Sequence, residues 1–286
     1  MRTLKFLFSF LIIVFACIGL LFTSVFIAMQ FGWFNVKGSN VLRNNSILLG
    51  NTASTTPLAP VATDYSCTAN IDTCNWQDTR EWAVVAGGLT KDSAILQRVS
   101  DETGVSPRLI AAVVVPEQIR FFTSNREVFK RYFEPLKILG SLSKFSLGVS
   151  GIKQDTAKAT EQNALDTNSE FYPGAAYAPL LAYDNSVSDT DEELYNRLTN
   201  EKDHYYSYLY TALFIKEILA QWQKAGYDIS NEPEIVATLF NLGFASSQPK
   251  INPQMGGAVI TVGGSNYSFG ELGGLFYKSE ELKVLR

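Results

Sequence analysis

The pattern of apolar and polar positions first separates the start of the chain from the rest. No residue between Phe6 and Phe34 is charged, and the run from Phe10 to Met29 is almost wholly apolar. About 20 such residues are enough for a helix to cross a bilayer. We therefore expect a cytoplasmic stub at residues 1–5 and a transmembrane anchor at residues 6–34, with the remaining chain on the extracytoplasmic side.

Two other interpretations of the apolar run stay open. Arg2 and Lys5 precede the run, and positive charge on this side favours an amino terminus in the cytoplasm. This charge distribution agrees with the anchor, but two alternatives exist. A cleaved signal peptide ends in small residues at its −3 and −1 positions, but cleavage after Ala28 would put Phe26 at −3. A lipoprotein modified at Cys17 is the second alternative. The pattern favours an anchor that is retained.

A polar stretch follows the apolar run. Residues 35–73 are rich in Ser, Thr, Asn and Pro, a composition typical of a flexible linker. Cys67 and Cys74 lie near its end, seven positions apart. A disulfide between them would close a short loop and would require an oxidising compartment, which agrees with export.

Residues 74–286 predict one folded domain that is mainly α. Ser106 is a suitable helix cap, and Pro107 suits the first helical position because its missing N–H costs nothing there. The apolar residues that follow on every side predict a buried helix that ends at Glu117. Further helices are predicted over residues 125–139, 155–164 with Asp155 as cap, 203–225, and 232–242 with Asn231 as cap. A small C-terminal β-hairpin is predicted over residues 258–262 and 266–269.

Composition narrows the partners and the kinds of catalytic site that the protein could have. The chain of 286 residues has 24 basic and 28 acidic residues, a net charge of −4 that argues against a nucleic-acid partner. Its single histidine and three cysteines argue against zinc clusters and histidine-based catalytic sets. If the protein is an enzyme, we expect carboxylates to carry the reaction, with no metal and no cofactor.

Glu117 is the carboxylate that the pattern favours. Apolar residues precede it, and such surroundings raise the pKa of a carboxyl, as a general acid requires. Pro116 would bend the helix and could turn Glu117 toward a cleft. The alternative is an ordinary helix end, with Glu117 solvated or paired to Arg120 or Arg126.

Three segments resemble the lytic transglycosylases, members of the lysozyme-like superfamily related to goose-type lysozyme. Residues 148–157, GVSGIKQDTA, are similar to the family motif G-L-M-Q-I-x-P-x-T-A. Residues 109–117 resemble the apolar helix that ends in the family's catalytic glutamate, and residues 237–243 resemble its A-x-x-Y-N-A-G helix. The three occur in the family's order.

The resemblance implies an α+β lysozyme-like fold and a defined reaction. Glu117 would act as acid and base in cleaving the β-1,4 bond between N-acetylmuramic acid and N-acetylglucosamine in peptidoglycan. The residues implied in substrate binding are Gly148, Ser150, Gly151, Ile152, Phe240 and Asn241. The location implied is the bacterial cytoplasmic membrane, with the domain on the periplasmic side.

Departures from the family pattern keep a second function open. Gln118 stands where the family has Ser, and Ser150-Gly151 replace its Met-Gln pair. Phe240 replaces a tyrosine. The alternative is an inactive lysozyme-like domain that binds glycan strands or scaffolds an envelope or secretion complex. If water were the nucleophile, Asp155 or Glu134 would be eligible as a second carboxylate, whereas Glu271 and His204 are expected to be structural and surface residues.

Overall fold

The computed structural model describes residues 74–123 and 146–286, and this part of the chain is mainly helical. The first α-helices are α1 (Arg80–Lys91), α2 (Ser93–Thr103) and α3 (Pro107–Thr123). After the strands β1 (Ser146–Leu147) and β2 (Ile152–Lys153) come α4 (Gln154–Leu165), α5 (Ala178–Leu181), α6 (Thr190–Thr199), α7 (Tyr205–Lys224) and α8 (Pro233–Leu242). The strands β3 (Val259–Val262) and β4 (Ser265–Ser268) then lead into α9 (Phe269–Lys278).

Helix α3 is the centre of the core. Every residue from Leu109 to Val115 is at most 7% exposed, and the helix packs against α1, α2, α7, α8, α9 and β3. Its start is the predicted one, because the Ser106 hydroxyl accepts the Leu109 N–H at 3.2 Å. Its predicted end is wrong, since the helix continues through Pro116 and Glu117 to Thr123.

Close packing from α9 accompanies the proline inside α3. Pro116 has no N–H, so the Ala112 carbonyl lacks its usual helical donor. Gly273 of α9 packs against that carbonyl, and a Cβ at Gly273 would lie 2.5 Å from the Ala112 oxygen. The neighbouring helix therefore approaches where the backbone ladder of α3 is interrupted. This contact requires glycine.

Two antiparallel hairpins complete the fold. In the first, Ser146 pairs with Lys153 and Leu147 with Ile152, so the Gly148–Gly151 segment forms its turn. In the second, Val262 pairs with Ser265 across Gly263-Gly264, which confirms the predicted hairpin and its position. Both turn glycines have positive φ, 57° and 77°, as a two-residue hairpin turn requires.

Several predicted details are wrong. The second hairpin is not the carboxyl end of the fold, because helix α9 follows it. Asp155 is not a cap: helix α4 starts at Gln154 after Lys153, and Asp155 lies within its first turn. Asn231 is not a cap either, since Glu232 occupies that position before α8.

Some sequence predictions fall outside the described residues. These are the stub, the membrane anchor, the linker with Cys67, and the helix over 125–139 with Glu134. Within residues 74–123 and 146–286, no helix combines the length and apolar character needed to cross a bilayer. Cys74 is described, and its N–H donates to the Gly263 carbonyl at 2.7 Å, which holds this residue against the second hairpin. Its pairing with Cys67 stays a prediction.

Candidate active site

Glu117 lies in the buried part of α3, where it is 3% exposed. Its carboxyl faces the turn of the first hairpin. At Gly151 a Cβ would lie 2.5 Å from both Cγ and Cδ of Glu117. The structure therefore brings together two of the predicted site residues, which are 34 positions apart in the chain.

The turn has a backbone shape that suits glycine. Gly148 and Gly151 have φ values of 63° and 64°, in the left-handed region where a side chain is strained. The Gly151 N–H closes the turn by donating to the Gly148 carbonyl at 3.3 Å. Each position therefore needs glycine for two reasons, the positive φ of the turn and the close approach of other residues. At Gly148 a Cβ would collide with the Leu198 carbonyl.

Three helices hold the turn in place. From α3, the Gln118 amide nitrogen donates to the Val149 carbonyl. From α7, the Ser207 carbonyl accepts the Ser150 hydroxyl at 3.1 Å. The carboxyl end of α6 contacts Gly148. Gln118 and Ser150, two of the departures from the family pattern, are thus the residues whose side chains fix the turn beside Glu117.

Arg120 sets the electrostatics of the Glu117 carboxyl. Its Nη2 lies 2.5 Å from Glu117 Oε1, a charge-assisted hydrogen bond one helical turn along α3. The Glu117 side chain is 4% exposed and that of Arg120 is 20% exposed. A guanidinium at this distance favours the ionised carboxyl. This contact is one of the pairings that the sequence left open, and it opposes the expectation that apolar surroundings alone keep Glu117 protonated.

The other residues that the resemblance implies in substrate binding make packing contacts or hydrogen bonds elsewhere in the fold. Ile152 is buried at 3% exposure in β2. The Phe240 ring packs against Phe214 with 5.1 Å between centroids. Asn241 Oδ1 accepts the Ala258 N–H at 2.8 Å, which ties the end of α8 to the start of β3. Phe240 and Asn241 therefore have structural contacts of their own.

Glu271, expected to be structural, is one half of a capping box. Its carboxylate accepts the Ser268 N–H at 3.1 Å, and the Ser268 hydroxyl accepts the Glu271 N–H at 3.2 Å. These contacts start helix α9. Such a pair satisfies two helix-end donors and explains the position without any catalytic role.

His204 is not the free surface residue that the sequence suggested. Its Nδ1 lies 2.6 Å from Asp92 Oδ2, which also accepts the Tyr208 hydroxyl at 2.8 Å. Burial alone would raise the pKa of Asp92, but the hydrogen bonds from His204 and Tyr208 outweigh it, and the pKa lies below its ordinary value. The cluster joins the α1–α2 junction to the start of α7.

A second buried glutamate was missed by the sequence reasoning. Glu217 of α7 is fully buried. Its Oε2 accepts the Asn163 amide at 3.2 Å. Burial raises the pKa of Glu217 to about 9. The available signal was its position among the predicted core residues of α7, between Leu213 and Ile218.

The structure also has an open cleft of about 470 Å³ away from Glu117. Phe171, Gln221, Phe244 and Ser247 are among its lining residues. Gln221 is 14 residues beyond Ser207 on α7, a rise of about 20 Å along the helix. Glu117 and the Gly148–Gly151 turn are the candidate site instead, because a charged pair and a close backbone approach meet there.

Neither metal chemistry nor known relatives add to the site. Among residues 74–123 and 146–286, no three His, Cys, Asp or Glu side chains lie close enough to hold a metal ion. Comparisons of the chain with protein-family models, curated proteins and solved structures found no match. Support for a function therefore comes from the geometry around Glu117 and from the motif resemblance.

Proposed function

We propose that the protein is a membrane-anchored peptidoglycan lytic transglycosylase with a lysozyme-like domain on the periplasmic side of the bacterial cytoplasmic membrane. The observation that carries the proposal is the contact between Glu117 and the Gly151 backbone. It brings the end of the apolar segment and the glycine motif, two segments that resemble the family separately, into one site.

The reaction needs one carboxyl group. Glu117 in its acid form gives its proton to the oxygen that leaves with N-acetylglucosamine, and the bond from that oxygen to muramic C1 breaks. The muramic C6 hydroxyl then attacks C1, and its proton passes to the Glu117 carboxylate. The product is a 1,6-anhydro ring, no water is consumed, and Glu117 recovers its acid form. The second carboxylate of ordinary glycosidases is not required.

The described contacts support these roles. Asp155 lies in the first turn of α4, and Glu271 is part of the capping box of α9, so each has a structural place in a helix start. Gln118 and Ser150 hold the turn, and Gly148 and Gly151 let backbone approach the acid. We propose these residues, with Ile152, as the frame that positions Glu117 rather than as direct sugar ligands.

A comparison of variants on purified peptidoglycan tests the proposal. We expect wild type to release soluble fragments and Glu117→Gln to release almost none, because Gln keeps the shape but cannot transfer a proton. Glu271→Gln is the matched control, since Gln can still accept the Ser268 N–H in the capping box. Equal release by wild type and Glu117→Gln would show that Glu117 is not the acid.

One observation favours a second function. The Arg120 guanidinium lies 2.5 Å from the Glu117 carboxyl, and a cation at that distance favours the ionised form of a carboxyl, whereas a general acid works from the protonated form. An inactive domain would bind glycan strands or scaffold an envelope or secretion complex. It predicts that wild type sediments with insoluble peptidoglycan yet releases nothing from any type of peptidoglycan.

A further inference from the structure

Two of the residues that line the open cleft are buried polar side chains, Gln221 and Ser247, which are 3% and 4% exposed. The Ser247 hydroxyl donates to Gln221 Oε1 at 2.5 Å and accepts the Trp222 Nε1–H at 3.0 Å. The Gln221 amide nitrogen donates to the Ser247 carbonyl at 3.1 Å. These bonds fix the Gln221 amide, so this side of the cleft has a defined shape before any ligand arrives.

The cleft also offers polar groups to a ligand. Gln221 donates a further hydrogen bond to Glu170 Oε2 at 3.0 Å, which positions that carboxylate. Glu170 and Gln248 both line the cleft and are exposed. A carboxylate accepts hydrogen bonds, and a carboxamide both donates and accepts them. A ligand with hydroxyl or amide groups would therefore find acceptors and a donor here.

Two phenylalanine rings give the same cleft an apolar surface. Phe171 and Phe244 are half-buried lining residues whose rings meet edge to face, with 4.8 Å between centroids. Phe244 also packs against Phe214 of α7, with 4.2 Å between centroids. The core thus holds the ring pair in place while part of each ring stays accessible. Such rings contact the C–H groups of a ligand.

The charges near the cleft favour a neutral ligand. The Glu170 carboxylate repels an anion. Lys224 Nζ donates to the carbonyl of Ser169, the residue before Glu170, at 3.0 Å, so a second cation beside Glu170 would meet a like charge. A sugar ring is neutral, with C–H groups on its face and hydroxyl groups around its edge. The volume of about 470 Å³ is within the range of ligand sites.

We propose that this cleft binds an N-acetylglucosamine residue of a glycan strand, at a distance from Glu117. The inference goes beyond the proposed function and rests on it for the identity of the polymer. The acetamido group of this sugar adds a methyl group for the rings and an N–H and a carbonyl for Glu170 and Gln248.

The position of the cleft indicates what this binding would do. Gln221 is about 20 Å along α7 from Ser207, whose carbonyl helps to hold the turn beside Glu117. A strand of many sugars can occupy both places at once, whereas a short fragment cannot. The second contact therefore raises the affinity for long strands and leaves the chemical step unchanged.

Calorimetric titration with chito-oligosaccharides, which are neutral chains of N-acetylglucosamine, tests the sugar site directly. The full-length protein in detergent carries Glu117→Gln so that cleavage does not interfere. We expect Gln248→Ala and Phe171→Leu each to weaken binding at one site by about 5-fold. Leu keeps an apolar side chain beside Phe244, and Gln248 is exposed, so neither change disturbs the core. Gln162→Ala, which removes an exposed amide on α4 outside the cleft, is the matched control and should bind normally.

Turnover gives a second measurement that a merely structural role does not reproduce. In the protein with Glu117 intact, Gln248→Ala should raise KM for long glycan strands by about 5-fold and leave kcat unchanged. Its kcat/KM on fragments too short to reach both places should equal that of wild type. An equal fall in kcat on long and short substrates would contradict a separate binding site.

The remaining outcomes separate this inference from the proposed function. Equal binding of chito-oligosaccharides by Gln248→Ala, Phe171→Leu and their parent overturns the sugar site, even if cleavage depends on Glu117. Binding of free stem peptides that depends on these two residues, without such binding of the sugars, makes the occupant a peptide and also overturns it. If the sugars bind as expected but wild type cleaves no strand, the inference stands and the proposed function fails.

Discussion

Glu117 and Glu217 are two glutamates buried in the same helical core, yet their surroundings differ in the one respect that sets charge. Glu117 has a guanidinium 2.5 Å away and lies against a glycine turn. Glu217 has an amide donor, Asn163, and burial raises its pKa to about 9. The difference teaches that burial alone does not mark a catalytic acid. The Glu117 site adds a guanidinium and a closely packed glycine backbone, whereas Glu217, with its pKa raised to about 9, is a neutral core group at pH 7.

The largest expected difference between the two glutamates is in turnover. Glu117→Gln should lower peptidoglycan cleavage by about 10²–10⁴-fold, because it removes general acid and base together. Glu217→Gln should leave turnover near the wild-type rate, since it keeps the acceptor for Asn163 and lies outside the site. Release of soluble muropeptides per unit time measures both. A comparable loss of turnover in the two variants would contradict a catalytic role that belongs to Glu117 and not to Glu217.

The pH dependence of stability should depend on Glu217, in contrast to turnover, which should depend on Glu117. The pKa of Glu217 is raised from 4.5 to about 9, so between these values the folded protein keeps a proton that the unfolded chain has lost. The stability associated with Glu217 is therefore complete below about pH 4.5 and falls as pH rises toward 9. The slope from this group is at most about 1.4 kcal/mol per pH unit.

Urea unfolding at pH 5 and pH 8 measures that slope. We expect wild type to lose stability between the two pH values and Glu217→Gln to lose markedly less. Glu271→Gln serves as the control, because it changes a partly buried residue of the α9 capping box and leaves Glu217 intact. An equal loss in Glu217→Gln and wild type would mean that another group controls the slope.

The variant Gly151→Ala tests the close contact between the glycine turn and Glu117. The new Cβ would collide with the Glu117 carboxyl, and φ of 64° strains any side chain there. We expect a loss of about 2–4 kcal/mol in the free energy of unfolding, together with reduced cleavage. Gly87→Ala is the matched control: it lies in α1 with nothing within 4 Å of a new Cβ. It should stabilise by about 0.5–1 kcal/mol. A harmless Gly151→Ala would contradict the close contact.

Asp92 is an intermediate case, with buried oxygens but neighbours that hold it ionised. Its pKa is lowered, so its contribution to stability is present at neutral pH and is lost as pH falls through its folded-state value. Tyr208→Phe removes one of its donors and should cost about 1 kcal/mol at pH 7. Thermal unfolding at pH 7 and pH 3 measures this, and the cost should be smaller at pH 3.

The sequence predicted those parts of the fold that depend on local signals. Ser106 and Pro107 fix the start of α3, and Gly263-Gly264 fix the second hairpin. It failed where packing decides. The helix was expected to end at Glu117, but it continues to Thr123, and Gly273 packs on the Ala112 carbonyl that Pro116 leaves without its usual donor. Helix α9 was not predicted, and its glycines contact neighbouring helices.

The candidate site shows the same division. The motif resemblance singled out Glu117 and the Gly148–Gly151 segment, and the structure places them in contact. The partners that fix the turn, Gln118 and Ser207, belong to helices whose meeting no local pattern reveals. Arg120 was one of two open partners for Glu117, since spacing along the helix allows a pair without requiring it.

Mass spectrometry of the fragments released from peptidoglycan tests the central claim most directly. If Glu117 is the only carboxyl at work and the muramic C6 hydroxyl is the nucleophile, wild type should produce glycan ends with 1,6-anhydromuramic acid, and Glu117→Gln should produce almost none. Reducing ends in place of anhydro ends would mean that water attacks and that a second carboxylate takes part. Anhydro ends in equal amount from wild type and Glu117→Gln would remove Glu117 from the mechanism.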